Sequence, residues 1–400
     1  MVVSASTFAL TLLVAKILDP QSFGAYSLML LSVQFLMSFH RAYITQPLNI
    51  YQHELTPIES QQRYGQLLRM QILLLPVAAV FLAGTSYFFY PGFDRWAACV
   101  AFTVAYSLQE TVRRRFFALG QLRAVLRNDG LSYATQLPLV LVVSTVYASN
   151  EAIVLLSISA SLMIGFMTEH RGLRGGRRSY GVDDISVLMQ SHWQSSKWIV
   201  LSQFVFWGSS QLYPFFIGTS LSLEAAANFS IANSILNALN VVRLALANYL
   251  PAKAVQVHNE TGSAGLKLFV VRHLIGYGLV SVLVVALVTV LGTLLIPALY
   301  GDKYDDAIAV LPWLGFAHVA MLVGVVTNAA AVPLERTNWR FVGNAIGAAL
   351  SLTLGPLVVR EYGMNGAALG LLVGAAVPAI IQGANLMKVL SGSSPEGRRA

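Results

Sequence analysis

Residues 274–297, LIGYGLVSVLVVALVTVLGTLLIP, run for 24 positions without a charged side chain. At 1.5 Å per residue a helix of this length crosses the roughly 30 Å of hydrocarbon in a bilayer, so the stretch reads as a membrane-spanning helix. The same signature recurs about twelve times. The spans fall near 2–18, 24–45, 67–90, 95–110, 130–148, 150–168, 198–219, 225–250, 270–296, 307–332, 339–359 and 364–388. Hydrophobic residues make up 56% of the 400 positions and charged residues only 11%, against roughly 25% in soluble domains. The expected fold class is an all-α integral membrane protein of about 12 transmembrane helices in two parallel six-helix repeats. The first span has no basic stretch before it and no small-residue cleavage site after it, which speaks against a cleaved signal peptide.

Lys and Arg are distributed unequally between the two sides. The connections after even-numbered spans carry most of them, among them Arg113, Arg114, Arg115, Arg171, Arg174, Arg177 and Arg178, whereas the opposite side holds Lys16, Arg95, Lys303 and Arg360. The positive-inside bias then puts the even loops and both termini in the cytoplasm. A net charge of +8 is accounted for by topology, with anionic lipid as the nearest counterion. The basic residues are scattered over short loops and form no single stripe, so no nucleic-acid partner is expected. Cys99 is the only cysteine, and the His residues have no metal-ligand spacing, so neither a disulfide, a metal nor a cofactor is expected.

The stretch His170 to Arg178, basic and glycine-containing, divides the chain. The domain reading is an N-terminal lobe 1–169, a cytoplasmic linker 170–197, a C-terminal lobe 198–390 and a cytoplasmic tail 391–400, with Trp193 and Trp198 as interfacial anchors. The lobes align with one another at a nearly fixed offset. Leu18–Ser27 (LDPQSFGAYS) matches Leu221–Ser230 (LSLEAAANFS) at a shift of 203, and Tyr147–Leu156 matches Tyr362–Leu371 at 215. Six spans per lobe is an even number, which makes the repeats parallel, with any substrate site between the halves.

Polar residues inside spans are the candidates for function, because a charge in hydrocarbon costs about 2.5–3.5 kcal/mol unless it faces water or a partner. On the second span Ser27, Gln34, Ser38, Arg41 and Thr45 share one stripe, with His40 beside it. On the eighth, Asn233, Asn237, Asn240 and Asn248 share another, with Arg243 at its edge. The shift of 203 maps Gln34 onto Asn237 and His40 onto Arg243. Gln34, Ser38, His40, Arg41, Asn233, Asn237, Asn240 and Arg243 are therefore the expected cavity residues. Amides offer donors and acceptors for hydroxyls, and guanidinium holds phosphate oxygens in a bidentate fork. The alternative is structural: Asn and Ser bonding neighbouring helices, with the arginines snorkelling to headgroups. Glu110, Asp129, Glu151, Glu169 and Glu224 fall near span ends, and no carboxylate is expected in mid-membrane.

Three short motifs carry a family resemblance. Ala15–Tyr26 (AKILDPQSFGAY) resembles the first-loop signature of polysaccharide transporters and O-antigen-type flippases, a basic residue followed by Leu-Gly-Pro-Glu-x-Phe-Gly-x-Tyr. Leu299–Tyr304 and Tyr362–Ala368 resemble later signatures of that family, so the resemblance runs in order along the chain. It departs at Asp19, at Gln21, and at His40-Arg41, where the family often has Asp-x-Gly. The resemblance implies membership of the multidrug/oligosaccharidyl-lipid/polysaccharide exporter superfamily, two lobes around a central cavity, and alternating access. The implied substrate is a polyprenyl-diphosphate-linked oligosaccharide, flipped across a bacterial inner membrane for surface polysaccharide synthesis. Membrane lipids, and a polysaccharide polymerase or glycosyltransferases working beside it, are the implied partners. No bond is made or broken, so the chain is not expected to be an enzyme. Three other readings stand beside this one: a cation-coupled exporter of small molecules, a membrane-embedded polymerase or glycosyltransferase, and a non-transporting assembly subunit. The first wants a mid-span carboxylate and the second a sizeable outer domain.

Overall fold

The computed structural model describes residues 2–51, 55–147, 150–171, 182–336 and 338–392, and every regular element among them is helical. The chain divides into two units, Met1–Gln203 and Phe204–Ala400. In the first, α1 (Val2–Ile17) is followed by α2 (Pro20–His40), which passes through a π-helical turn (Arg41–Thr45) into α3 (Gln46–Tyr51). Next come α4 (Pro57–Phe89), α5 (Phe93–Ala118), α6 (Leu122–Tyr133), α7 (Gln136–Val146) and α8 (Glu151–Arg171). Helix α9 (Val182–Ser210) begins in the first unit and ends in the second, which continues with α10 (Tyr213–Ser220), α11 (Leu223–Leu236), α12 (Ala238–Tyr300), α13 (Asp306–Ala331) and α14 (Asn338–Leu390).

Bends account for the difference between fourteen helices and twelve spans. Helices α2/α3, α6/α7, α9/α10 and α11 with the start of α12 are each one span bent in the middle, while α12 and α14 each hold two spans. Both double helices break at a glycine in the left-handed region, Gly262 (φ 67°) and Gly363 (φ 60°), where a Cβ would be strained. Leu250 and Ala254 before the first break, and Leu266 and Val270 after it, enter one buried cluster with Val326 and Leu386.

Several helices outrun their apolar runs. Helix α4 starts ten residues before the expected span, because Thr56 caps it: the Glu59 amide donates to Thr56 Oγ1 (3.4 Å) and the Thr56 amide to Glu59 Oε2 (2.8 Å), with Pro57 at the first helical position. Helix α5 continues past 110 to Ala118, and α12 is helical through the stretch expected to be the eighth loop. Val182–Lys197, expected as the second half of the linker, is the first half of α9; residues 172–181 of that linker and 393–400 of the tail lie outside the described residues. Hydrophobicity marks only the part of a helix in hydrocarbon, whereas caps and packing set its ends.

The repeat is visible in local chemistry. Asp19 caps α2 by accepting from the Ser22 amide at 3.0 Å, and Ser222, 203 positions on, caps α11 by accepting from the Ala225 amide at 3.0 Å. Partial burial works to raise the Asp19 carboxyl pKa, but the hydrogen bonds from Ser22 win and hold it below the usual carboxylate range. Tyr26 and its counterpart Phe229 are both buried. Within the first unit α5 packs against α2, α4, α6 and α8; within the second, α13, its repeat equivalent, packs against α11, α12 and α14.

Asn228 ties α11 to α13. Its Oδ1 accepts from the Ala307 amide and its Nδ2 donates to the Glu224 carbonyl, both at 3.1 Å, in a site 3% exposed. Asn228→Ala leaves that buried amide unsatisfied and is expected to cost about 1–3 kcal/mol, read as a lowered Tm of the purified protein in detergent. An unchanged Tm would mean that α13 is seated by packing alone.

Candidate functional site

The end of α2 is where the helix changes pitch. Pro47 has no N–H to give the Tyr43 carbonyl four residues back, and the backbone between Arg41 and Thr45 widens to π spacing, with the Gln46 amide donating to the Arg41 carbonyl. The carbonyl that Pro47 leaves free is taken by His192 of α9, whose Nδ1 donates to it at 2.9 Å, while Tyr43 Oη donates to the Met189 carbonyl at 3.0 Å. The turn is thus pinned by α9, which fixes where Arg41 emerges.

Arg41 meets a polar band on α5. Its Nε lies 3.2 Å from Glu110 Oε1, and its Nη2 donates to Tyr106 Oη at 2.6 Å. Glu110 is fully buried and is also held by Arg114 Nε at 2.8 Å and Arg113 Nη1 at 3.5 Å; Arg113 Nε in turn lies 2.8 Å from Asp129 Oδ1 on α6. Three guanidinium groups (+3) thus surround two carboxylates (−2), an excess of one positive charge. Arg41 is the most exposed of the three, at 44% of its side chain. Arg115 stands apart, its guanidinium over the Tyr64 ring at 4.7 Å.

The other expected residues of this unit take different places. Gln34 is exposed, Ser38 Oγ donates to the carbonyl of Phe35 on its own helix (2.7 Å), and His40 Nε2 lies 3.5 Å from Thr111 Oγ1, which also accepts from Gln71 Nε2. Sequence reading put Glu110 at a span end and read Arg113–Arg115 as a topology signal. It missed the network they form with Tyr106 and Asp129. The signal was there: Tyr106, Glu110 and Arg113/Arg114 recur at i, i+4 and i+7/i+8, one face of a helix, with the carboxylate N-terminal to the guanidinium in the favourable order.

In the second unit Asn233 is half-buried and its backbone carbonyl accepts from the Asn237 amide, where α11 gives way to α12. Asn237 and Asn240 bond one another, Asn240 Nδ2 donating to Asn237 Oδ1 at 2.5 Å. Arg243, half-buried, directs Nη1 to the thioether of Met321 at 2.6 Å, and among the described residues no carboxylate forms an ion pair with it. His318, one turn before Met321 on α13, is 6% exposed. The four expected residues of this half thus gather on the α11–α12 bend. The two arginines differ: Arg41 is neutralised by a buried carboxylate, Arg243 is not. No group of three or more His, Cys, Asp or Glu capable of holding a metal occurs among the described residues.

No family model matches the sequence, and no curated protein matches it. Solved structures do match. The chain is similar to a multidrug resistance MATE family transporter of the MOP superfamily in its inward-facing conformation, with a TM-score of 0.72 at 12% identity over 97% of this chain and 94% of that one. An outward-facing conformation of such a transporter matches with a TM-score of 0.57 at 15% identity, covering 98% and 93%. The eukaryotic MATE transporter AtDTX14 matches at 0.61 and 14%, covering 96% and 92%. These neighbours are transporters, not enzymes. At such identities the likeness speaks for the fold: this chain is a multi-pass, all-helical membrane protein with the two-repeat fold of MATE transporters of the MOP superfamily.

Proposed function

We propose that the chain is an alternating-access membrane transporter whose cargo carries an anionic head, a polyprenyl-diphosphate-linked oligosaccharide flipped across a bacterial inner membrane for surface polysaccharide synthesis. Both termini are cytoplasmic in this reading, and a polymerase or glycosyltransferases work beside it. The observation that carries the proposal is the charge balance of its interior polar residues. The guanidinium groups of the first unit outnumber its paired carboxylates, and Arg243 of the second has a thioether where a counterion would be. Phosphate oxygens supply the missing charge, in the bidentate geometry guanidinium favours. The three motifs supply the glycan part of the reading.

A second reading, a cation-coupled exporter of small molecules or drugs, has the more direct support from the solved structures, since the inward- and outward-facing neighbours are multidrug resistance transporters. Against it stands Glu110, the buried carboxylate a cationic drug or coupling ion would seek, which is already occupied by three arginines.

Cells lacking the protein separate the two. Lipid-linked oligosaccharide that accumulates in the cytoplasmic leaflet, and is cleared by wild type but roughly 10–100-fold more slowly by Arg243→Ala, is the result expected if a charged hydrogen bond to the cargo is lost. Leaflet distribution unchanged by deletion, with raised ethidium accumulation instead, would overturn the flippase reading in favour of drug export.

A further inference from the structure

Two exposed arginines share the outward face of α6. Gly120 (φ 69°) closes α5, with the Gly120 amide donating to the Phe117 carbonyl at 3.0 Å and the Gln121 amide to the Phe116 carbonyl at 2.9 Å, so α6 starts at Leu122 after a tight corner. The buried face of α6 is Val125, Asn128, Asp129, Ser132 and Tyr133, packed against α1, α5 and α8. Two hydroxyls fasten it: Ser161 Oγ donates to the Ser132 carbonyl at 2.6 Å and Ser6 Oγ to the Tyr133 carbonyl at 2.7 Å. At 3.6 residues per turn Arg123 and Arg127 fall on the opposite side, and both are exposed.

That face carries charge of one sign. Three and four positions from the two arginines stand Leu119, Gly120, Ala124, Leu126, Gly130 and Leu131, and otherwise each arginine meets the other. Like charges at i and i+4 destabilise a helix unless an anion lies between them. The one carboxylate of α6, Asp129, is on the buried face and is held by Arg113 at 2.8 Å; among the described residues none forms an ion pair with Arg123. The face is also apolar. Leu122 and Leu126 are 62% and 63% exposed, Phe117 at the corner is exposed too, and the same bent span goes on to show Leu141, Val142 and Val146 on α7. Arg127 precedes the apolar run that begins near 130 by three residues, about 4.5 Å of helix, and Arg123 by one turn more, so both reach the headgroup layer.

We propose that this face of α6 binds one anionic phospholipid, its phosphate held between the Arg123 and Arg127 guanidinium groups and its glycerol and upper acyl chain lying on Leu122 and Leu126. Residues at i and i+4 stand roughly 5–6 Å apart at Cβ, a gap that one phosphate bridges with an oxygen for each guanidinium. The leucines select a lipid over a free phosphate, since only a lipid covers them as well as the charge. The network of Arg41, Arg113 and Arg114 on the other side of Asp129 adds its excess positive charge, which favours an anionic headgroup over a zwitterionic one that brings its own cation. The site uses neither of the arginines assigned to the cargo and does not rest on that assignment; it needs only that this end of the span meets a headgroup layer.

Native mass spectrometry of the purified full-length protein, delipidated in detergent and titrated with phosphatidylglycerol or phosphatidylcholine, tests this. Wild type is expected to retain one phosphatidylglycerol at concentrations where phosphatidylcholine is not retained. Arg123→Gln with Arg127→Gln should weaken that first binding step roughly 10–30-fold, the upper figure corresponding to about 1 kcal/mol for each arginine. Taking the same two charges from exposed positions of the second unit, Arg272→Gln with Arg340→Gln, should change it by less than about twofold, because charges more than a Debye length away are screened. Leu126→Asn should weaken it severalfold, and millimolar glycerol phosphate should not displace the lipid. Equal retention of the two lipids, or equal loss in the two double variants, would reduce the effect to diffuse surface charge and overturn the proposal. Displacement by glycerol phosphate would make the site one for free phosphate, and displacement by equimolar undecaprenyl diphosphate would give it to the cargo; either overturns the phospholipid assignment. None of these outcomes bears on the leaflet assay, so the two ideas fail independently.

Discussion

Glu110→Ala is expected to be the most damaging single substitution in the first unit, lowering stability by roughly 3–5 kcal/mol, because it strips the shared counterion from Arg41, Arg113 and Arg114. Folded proteins hold only about 5–15 kcal/mol in total, so the variant should be recovered in low yield and with a depressed Tm. The partner substitution separates pairing from mere bulk. Arg41→Ala removes a guanidinium that is 44% exposed and leaves Glu110 with Arg114 at 2.8 Å and Arg113 at 3.5 Å, so its cost belongs to the exposed-pair range, about 0.2–1 kcal/mol. Glu110→Gln, which keeps the shape and loses the charge, should resemble Glu110→Ala more than Arg41→Ala. Thermal melts in detergent, read side by side, decide the matter. Equal tolerance of Glu110→Ala and Arg41→Ala would show that the three arginines are solvated independently and that Glu110 is not their hub.

Gly374→Val should have a comparable effect in the second unit for a purely steric reason. A Cβ at Gly374 would stand 2.5 Å from the Ser209 carbonyl oxygen and 3.3 Å from Ser351 Oγ. That carbonyl accepts from Ser351 Oγ at 3.1 Å, and Ser351 Oγ accepts from Tyr213 Oη at 3.1 Å, so the backbone of α9 cannot yield without breaking a buried chain of hydrogen bonds. Overpacking against backbone costs about 1–3 kcal/mol, to which lost hydrogen bonds add roughly 1 kcal/mol each. Small residues at such crossings are how membrane helices come close without a hydrophobic drive between them. Gly276→Ala is the control: its Cβ meets nothing within 4 Å, and replacing a mid-helix glycine should raise stability by up to about 1 kcal/mol. A folded Gly374→Val protein with wild-type Tm would mean that α14 and α9 do not cross in the way described.

How much of this could be read along the chain varies from element to element. The stretch 274–297 announced a span by itself, since 24 consecutive uncharged and predominantly apolar residues match the thickness of the hydrocarbon core. The repeat was legible in the match of Leu18–Ser27 to Leu221–Ser230, whereas only the structure shows that Asp19 and Ser222 at its aligned positions both cap a helix. The ends of α4 and α12 were not, since beyond the lipid a helix is continued by caps and packing that leave no hydropathy signal. Gly262 and Gly363 are two of 31 glycines, and only their left-handed backbone distinguishes them as the points where single helices break in two.

Among the site residues the sequence determined the chemistry and left the partners open. Composition fixed a membrane protein, charge asymmetry gave an expected orientation, and helical spacing singled out Arg41 and Arg243, because those properties are written locally, within one helix. It could not tell that Arg41 lies against Glu110, 69 positions away, or that Arg243 ends on Met321, 78 positions away, and so could not separate a neutralised guanidinium from an unneutralised one. Nor could it reveal that Pro47 frees the Tyr43 carbonyl for His192. Whether a polar group is satisfied depends on what distant helices bring to within 3 Å of it, and only the tertiary structure decides that.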